Sequence, residues 1–264
     1  MWQKIPDWLF YLVIVVLIYA NSNRASEKII PPSQPPELGP LLPRENPQDE
    51  RIIVNVDKPK SGIGTAFAID RKGRWITARH VVDSCNQVGL NVSGHKILKT
   101  QTTISKDTDT AILTSNWNRK PLANDLYSER QIGERGFFFG FPQGRPGEVV
   151  GSLLARNRML VRGRYTTEEA VLAWSEISRT KGIFGSLGGL SGAPVMDTDG
   201  EVIGVVSAES PRRGRIYTVT PENLRALITD DNGKPSVLNL ETYGLEADKL
   251  RRDRRIAQVV CLVN

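Results

Sequence analysis

From residue 51 onward the chain breaks into short runs rich in β-branched and aromatic residues, at 52–56, 64–69, 75–77, 110–114, 136–139, 149–153, 170–177, 202–207 and 216–219. Turn-forming stretches such as 70–73, 142–147 and 197–200 separate them. Each run is too short for a helix, and its Gly, Pro, Asn and Asp borders favour chain reversal. Many short strands without intervening helices imply an antiparallel barrel or sandwich. Helical patterning is expected only across 241–260, where Leu245, Leu250, Ile256 and Val260 recur among basic residues.

The first fifty residues have a different texture. Residues 8–20 read WLFYLVIVVLIYA, an unbroken apolar run preceded by Lys4 and Asp7. Its length suits a signal-peptide core, while Trp2, Trp8 and Tyr19 suit the two interfaces of a retained anchor. Residues 31–47 hold seven prolines, which remove backbone donors and favour extended, semi-rigid chain. The expected organisation is a signal-anchor or signal peptide at 1–24, a Pro-rich linker at 25–50, a folded body at 51–240 and a C-terminal helix and tail at 241–264. The family resemblance given below implies that the body divides into a first barrel at 51–130 and a second at 131–230. Export then carries the body across the membrane, tethered through the N-terminal segment or secreted, and the family resemblance given below implies a bacterial cell with the body in the periplasm or beyond.

Composition narrows the function classes. The net charge of +6 is spread along the chain until the basic run 248–255, without the aromatic-interleaved basic face of a nucleic-acid binder. That run reads as the solvated side of the terminal helix. Cys85 and Cys261 stand at no metal-ligand spacing. In an oxidising compartment they are candidates for one disulfide, in a reducing one for two independent thiols, and their separation does not choose. Nothing in the sequence calls for a metal or an organic cofactor.

The two histidines carry different signals. His95 sits in a surface hairpin pattern and receives no role. His80 lies in ITARHVVD, where a strand gives way to a helical turn. Downstream come Asp109-Thr110-Ala111-Ile112-Leu113 and then Gly189-Leu190-Ser191-Gly192-Ala193-Pro194. A serine hydroxyl needs a neighbouring base to become nucleophilic, and the base needs a third group to orient it. The order His, Asp, Ser excludes the α/β-hydrolase order, since no histidine follows Ser191, and Ala193 breaks a G-x-S-x-G elbow.

These three segments resemble the signatures of the trypsin-like serine proteases, most closely the bacterial HtrA/Deg-like branch. Residues 133–144 and 202–207 are similar to that family's second-barrel opening and pocket-lining strand. The resemblance spans residues 52–228. It implies an all-β, chymotrypsin-like fold of two six-stranded antiparallel barrels, here with a C-terminal α-helix and preceded by a hydrophobic helix and Pro-rich linker. It implies His80, Asp109 and Ser191 as the triad, backbone N–H groups of Gly189 and Ser191 as the oxyanion hole, and Ser207 as support for Asp109. By the same comparison Gly185, Ala208, Glu209 and Arg215 surround the specificity pocket, and Gly185 replaces the acid that selects basic side chains. Asp107, two residues before Asp109, is its rival on the same strand face.

Two departures stand out. Leu190 occupies the position where zymogen-activated relatives carry Asp, so Arg51-Ile52 is not expected to be an activation site. No PDZ domain is expected after the second barrel. The activity implied is hydrolysis of protein or peptide substrates at a membrane, without nucleic acid and with no indication of oligomeric state. The alternative is a protease-fold binding or chaperone module that is latent or inactive.

Overall fold

The computed structural model describes residues 8, 11–16, 38–94, 96–229 and 233–264. Residues 8 and 11–16 are helical, and the rest of the expected signal-anchor and the first half of the Pro-rich linker lie outside the described residues, as does His95. Among the described residues no helix is long and apolar enough to cross a membrane. Leu38–Asn264 forms one compact unit.

The elements in chain order are β1 (Arg51–Val56), β2 (Gly62–Ala68), β3 (Arg74–Thr77), α1 (Arg79–Val82), β4 (Gln87–Ser93), β5 (Lys96–Lys99), β6 (Gln101–Ile104) and β7 (Ala111–Thr114). Then come β8 (Arg135–Gly140), β9 (Gly147–Gly163), β10 (Thr167–Arg179), β11 (Pro194–Met196), β12 (Val202–Ser210) and β13 (Arg215–Val219). The chain ends with α2 (Pro221–Leu224), α3 (Tyr243–Arg252) and β14 (Ile256–Leu262).

Two seven-stranded sheets result. The first runs β5-β4-β14-β2-β3-β7-β6, and only Thr100 separates its two edge strands in sequence. That bent segment pairs with β4 through its first half and with β7 through its second, so the sheet curls into a ring of six. The second runs β1-β9-β10-β13-β12-β11-β8, and the additional β8–β9 pairing closes its last six strands. Closure removes the exposed edges an open sheet would leave.

Each barrel has its own apolar filling, with Trp75, Leu90, Leu113 and Val259 in the first and Phe138, Leu153, Trp174 and Val206 in the second. A third cluster spans the seam, where Phe67, Ile76 and Ile256 meet Phe137, Phe139 and Met196 beneath Leu250 of α3. The strand readings from the sequence hold, and so does the double barrel.

Three segments depart from expectation. β1 belongs to the second barrel, where it lies parallel to β9 from Arg51↔Arg158 to Val56↔Gly163. The linker is not a free spacer over its second half. Gly39 N–H donates to Ile132 O (2.7 Å) and Leu42 N–H to Arg130 O (2.7 Å), strapping this stretch to barrel two. The terminal helix stops at Arg252, because Arg254 adopts a positive φ of 55° that no helix continues through. Beyond it Ile256–Leu262 alternates in burial and inserts between β2 and β4, so the C-terminus completes barrel one. The recurrence of Leu250, Ile256 and Val260 is compatible with a helix, but the β-branched run Ile256 to Val260 finds an open strand position in barrel one, and tertiary pairing decides.

Cys85 and Cys261 form a disulfide, with Cα atoms 5.6 Å apart across 176 residues of chain. It fastens β14 to the segment that follows α1. Replacing both cysteines by alanine is expected to lower the unfolding free energy by about 2–5 kcal/mol. Guanidinium denaturation of both proteins, with and without reductant, checks this, and wild type plus reductant should match the variant.

Candidate active site

The register of barrel one determines which loops meet. β3 and β7 pair antiparallel from Arg74↔Thr114 to Thr77↔Ala111. The chain leaving Thr77 and the chain arriving at Ala111 therefore emerge at the same end of the barrel. His80 sits on the first, in α1, and Asp109 on the second. Arg79 N–H donates to Asp109 O (3.2 Å) and His80 N–H to Asp109 Oδ1 (3.0 Å), fixing one loop against the other. His80 Nδ1 then lies 2.8 Å from Asp109 Oδ2.

Asp109 is buried and accepts two further bonds, both from barrel two. Ser207 Oγ donates to Oδ2, and Tyr165 Oη donates to Oδ1 at 3.0 Å. Tyr165 and Arg164 form the tip of the long β9–β10 hairpin. Arg164 donates to His80 O (2.9 Å) and pairs with Asp83 (3.1 Å). Burial alone would raise the Asp109 pKa, but the facing His80 and the bonds from His80 and Ser207 bring it below the usual carboxylate range. Burial opposes the charged form of His80, and the Asp109 carboxylate overcomes this, so its pKa rises above 6.5. Asp107 is exposed and remains outside this network.

Ser191 lies between β10 and β11, held from both sides. Its carbonyl accepts Thr65 N–H (2.8 Å) from barrel one, and the next residue, Gly192, donates to Val206 O (2.8 Å) in barrel two. Gly192 has φ +85°, and a Cβ there would stand 2.1 Å from Thr65 O, so only glycine admits this contact. Gly189, at φ +98°, has its carbonyl bonded by Thr65 Oγ1 (2.8 Å), and a Cβ would meet Phe141 O at 2.5 Å.

The backbone donors of this loop can be accounted for one by one. Leu187 N–H goes to the Glu209 carboxylate (2.9 and 3.0 Å) and Gly188 N–H to Ser186 Oγ (3.1 Å). Leu190, Gly192 and Ala193 donate to Leu187 O, Val206 O and Leu190 O. Among the described residues, the N–H groups of Gly189 and Ser191 have no protein partner. Gly188 O is taken by Gln143 N–H (2.6 Å), so the planar trans peptide points Gly189 N–H away from Gln143. These are the two donors expected to receive an oxyanion. Ser191 Oγ likewise has no hydrogen-bond partner among the described residues, and its bond to His80 is open in this conformation.

His80, Asp109, Ser191, Gly189, Ser207, Ala208 and Glu209 all line one cleft of about 380 Å³. Beside Ser191 it deepens into a recess of about 20 Å³ walled by Leu187, Leu190, Val206, Ala208 and Ile216. Gly185 and Arg215, expected around this pocket, line neither space. Gly185 is exposed, with its carbonyl bonded by Arg179 (2.7 Å), and Arg215 is in strand register with Ser175 and Ser210. Residues 184–186 are exposed, and Arg179 holds Gly185 on that outer side.

Sequence reasoning missed four contributors. Tyr165 and Glu169 come from the β9–β10 hairpin, whose length no turn signal announced, and Glu169 Oε1 accepts Asp109 N–H at 2.6 Å. Val54 and Val56 of β1 form an outer wall of the cleft, packed with Met159, Val161 and Tyr165. The strand character of β1 was visible, but its parallel pairing was not.

A double barrel with a buried Asp bonded to a half-buried His, in one cleft with a serine that precedes a glycine, defines the chymotrypsin-like class of serine hydrolases. Residues 64–205 match the trypsin-like peptidase domain model. The chain belongs to that family and is a serine protease. Among curated proteins none matches it in sequence. Among solved structures, the Rv3671c protease of M. tuberculosis in its active form is 20% identical, with 67% of this chain and 76% of that chain covered and a TM-score of 0.51. The HtrA-type protease AlgW with decapeptide gives 20% identity, 60% and 47% coverage and a TM-score of 0.47. The MamO protease domain from Magnetospirillum magneticum gives 19%, 64% and 95%, and 0.46. At these identities the first likeness speaks for the fold alone.

Thr65 links the two halves of the site, since its hydroxyl also accepts Phe141 N–H (3.1 Å). Thr65→Val strands two buried backbone groups and should destabilise by about 1–3 kcal/mol. Thr65→Ser keeps the hydroxyl and should recover most of the loss in urea denaturation.

Proposed function

We propose that this protein is a serine endopeptidase that cleaves exported or envelope proteins through His80, Asp109 and Ser191. The single observation that carries the reading is the convergence of an oriented His80–Asp109 pair with a segment, residues 187–193, in which the Gly189 and Ser191 N–H groups are the two without a hydrogen-bond partner among the described residues. In the first step Ser191 Oγ bonds to the substrate carbonyl carbon as its proton passes to His80 Nε2. Charge collects on the carbonyl oxygen, where the two free N–H groups receive it. His80 then gives the proton to the departing amine as the C–N bond breaks, leaving an acyl-serine and a new amino terminus. Water, deprotonated by His80, releases the acid and restores Ser191. Asp109 stays ionised throughout and holds Nδ1–H.

The recess beside Ser191 supports a preference for small apolar residues on the acyl side of the cut. It has room for a methyl or small branched side chain. Glu209 does not make it a site for Arg or Lys, because its oxygens are engaged by Leu187 N–H and Ser186 O–H. The disulfide and the apolar run at 8–20 support an exported body, since such bonds persist in oxidising compartments. On this reading the N-terminal segment tethers the protease to the bacterial inner membrane with the catalytic body in the periplasm.

The open Ser191–His80 contact favours a second reading, a latent module of the same fold. Such bonds often tighten only once substrate is bound, so the contact weighs lightly. Labelling the purified chain with a fluorophosphonate separates the two. Wild type should label, with Ser191→Ala silent and His80→Ala slower by at least about 10³-fold. The rate should rise with pH through the raised His80 pKa, above 6.5, because only neutral imidazole accepts the serine proton. A folded wild type that stays unlabelled sinks the active-enzyme reading. In a peptide panel, Ala or Val at the cleaved position should exceed Phe or Arg by about 10–100-fold.

A further inference from the structure

Behind Asp109, away from the cleft, stands a carboxyl group the chemistry above does not use. Glu169 projects from β10 and is 4% exposed. Its Oε1 accepts the backbone N–H of Asp109 at 2.6 Å, and its Oε2 lies 3.5 Å from Asn223 Nδ2 at the end of α2. Among the described residues no cation pairs with it. The charged groups nearby are all committed elsewhere. Arg79 stacks over Tyr165, Arg164 holds Asp83 and His80 O, Arg156 pairs with Glu222, and His80 faces Asp109. Tyr165 donates its proton to Asp109. The charge acting on Glu169 is that of the Asp109 carboxylate, which has the same sign.

A buried carboxyl with no counter-ion and a carboxylate for a neighbour keeps its proton. We propose that Glu169 is a positioning residue for the triad, a neutral buried acid that holds the Asp109 backbone and thereby fixes the turn from which Asp109 reaches His80. The proposal rests on the His80–Asp109–Ser191 reading and adds a control to it. Residues 105–110 leave barrel one as a tight turn, closed by Ser105 N–H on Thr110 O (3.0 Å) and by Thr108 on Ser105. Apart from its side chain, the contact with Glu169 is the bond that ties Asp109 to barrel two. When Glu169 loses its proton, a second negative charge appears beside Asp109 in a dry site, and the turn and hairpin are driven apart.

Burial, and after it the charge on Asp109, push the Glu169 carboxyl up to about 8. An acid raised in the folded state binds a proton there that the unfolded chain has released above 4.5. Stability therefore falls as pH rises between these two values, by about tenfold in the unfolding constant per pH unit at full effect. Gln at this position mimics the neutral acid and removes the dependence.

The experiment measures the fluorophosphonate labelling rate against pH for wild type, Glu169→Gln and Glu169→Ala, together with urea stability from about pH 4.5 to about pH 9, a range that brackets both values. Wild-type labelling should rise as His80 deprotonates and fall again above about pH 8. Glu169→Gln should match wild type at neutral pH and lack the alkaline fall. Glu169→Ala should label at least about tenfold more slowly throughout while remaining folded. An unchanged alkaline limb in Glu169→Gln, or wild-type rates in Glu169→Ala, overturns the proposal. Should wild type not label at all, the protease reading fails instead. The stability slopes of wild type and Glu169→Gln then still decide whether Glu169 holds its proton, and equal slopes overturn that.

Discussion

The Asp109 carboxylate, buried and ionised at the junction of the two barrels, is the constraint on which the rest of the structure depends. Leaving a carboxylate in a dry site is unfavourable by several kcal/mol unless its lone pairs are filled. Here four donors fill them, two from His80 in barrel one and one each from Ser207 and Tyr165 in barrel two. Neither barrel alone supplies the set. Docking of the barrels therefore completes the set of donors that keeps Asp109 charged when it is buried, and His80 is oriented by the same carboxylate. The β9–β10 hairpin owes its length to this task, because its tip must cross the seam to place Tyr165 and Arg164.

The seam itself is held by elements that cross it. The chain's last segment is divided between the barrels. From α3, Arg251 pairs with Glu148 of barrel two, while β14, a few residues later, is an interior strand of barrel one. The same logic governs Thr65, a barrel-one residue whose backbone and hydroxyl both hold the nucleophile loop. Gly192 permits the approach by having no side chain. The geometry of the candidate site thus depends on inter-barrel packing, and the Thr65 and Ser207 contacts across the seam also hold the Ser191 loop and Asp109.

Much of this was legible because local chemistry announces it. Strands bordered by Gly and Asp, the His80 and Ser191 segments and their order all follow from neighbours within a few residues. What escaped were decisions made by distant partners. The run Ile256 to Val260 became a strand because β2 and β4 leave a place between them, and β1 joined barrel two because β9 offered a parallel edge. Gly185 and Arg215 were placed by analogy with relatives, and loop 179–186 takes its own path, anchored by Arg179 on Gly185 O. Glu169 gave no local signal, since an acid in a strand reads as a solvated position until a hairpin folds it beneath Asp109.

Leu190 turns from an anomaly into an explanation once its surroundings are known. An Asp at this position would be a buried carboxylate in need of a cationic partner, whereas Leu190 needs none. Leu190 is 1% exposed and packs with Phe138, Leu153, Trp174 and Val206 in the filling of barrel two. Its loop is anchored by burial of an apolar side chain, worth about 1.5–3 kcal/mol. Glu209 supplements this through Leu187 N–H, as do Gln143 through Gly188 O and Thr65 through Gly189 O. None of these contacts waits for a chain end, and Ile52, the residue a cleavage after Arg51 would expose, is paired in β1 opposite Met159. The loop is built to stand in the uncut chain. The contacts that hold Asp109 and His80 come from behind, from Tyr165 and Arg164 at the hairpin tip and from Glu169 on the Asp109 N–H.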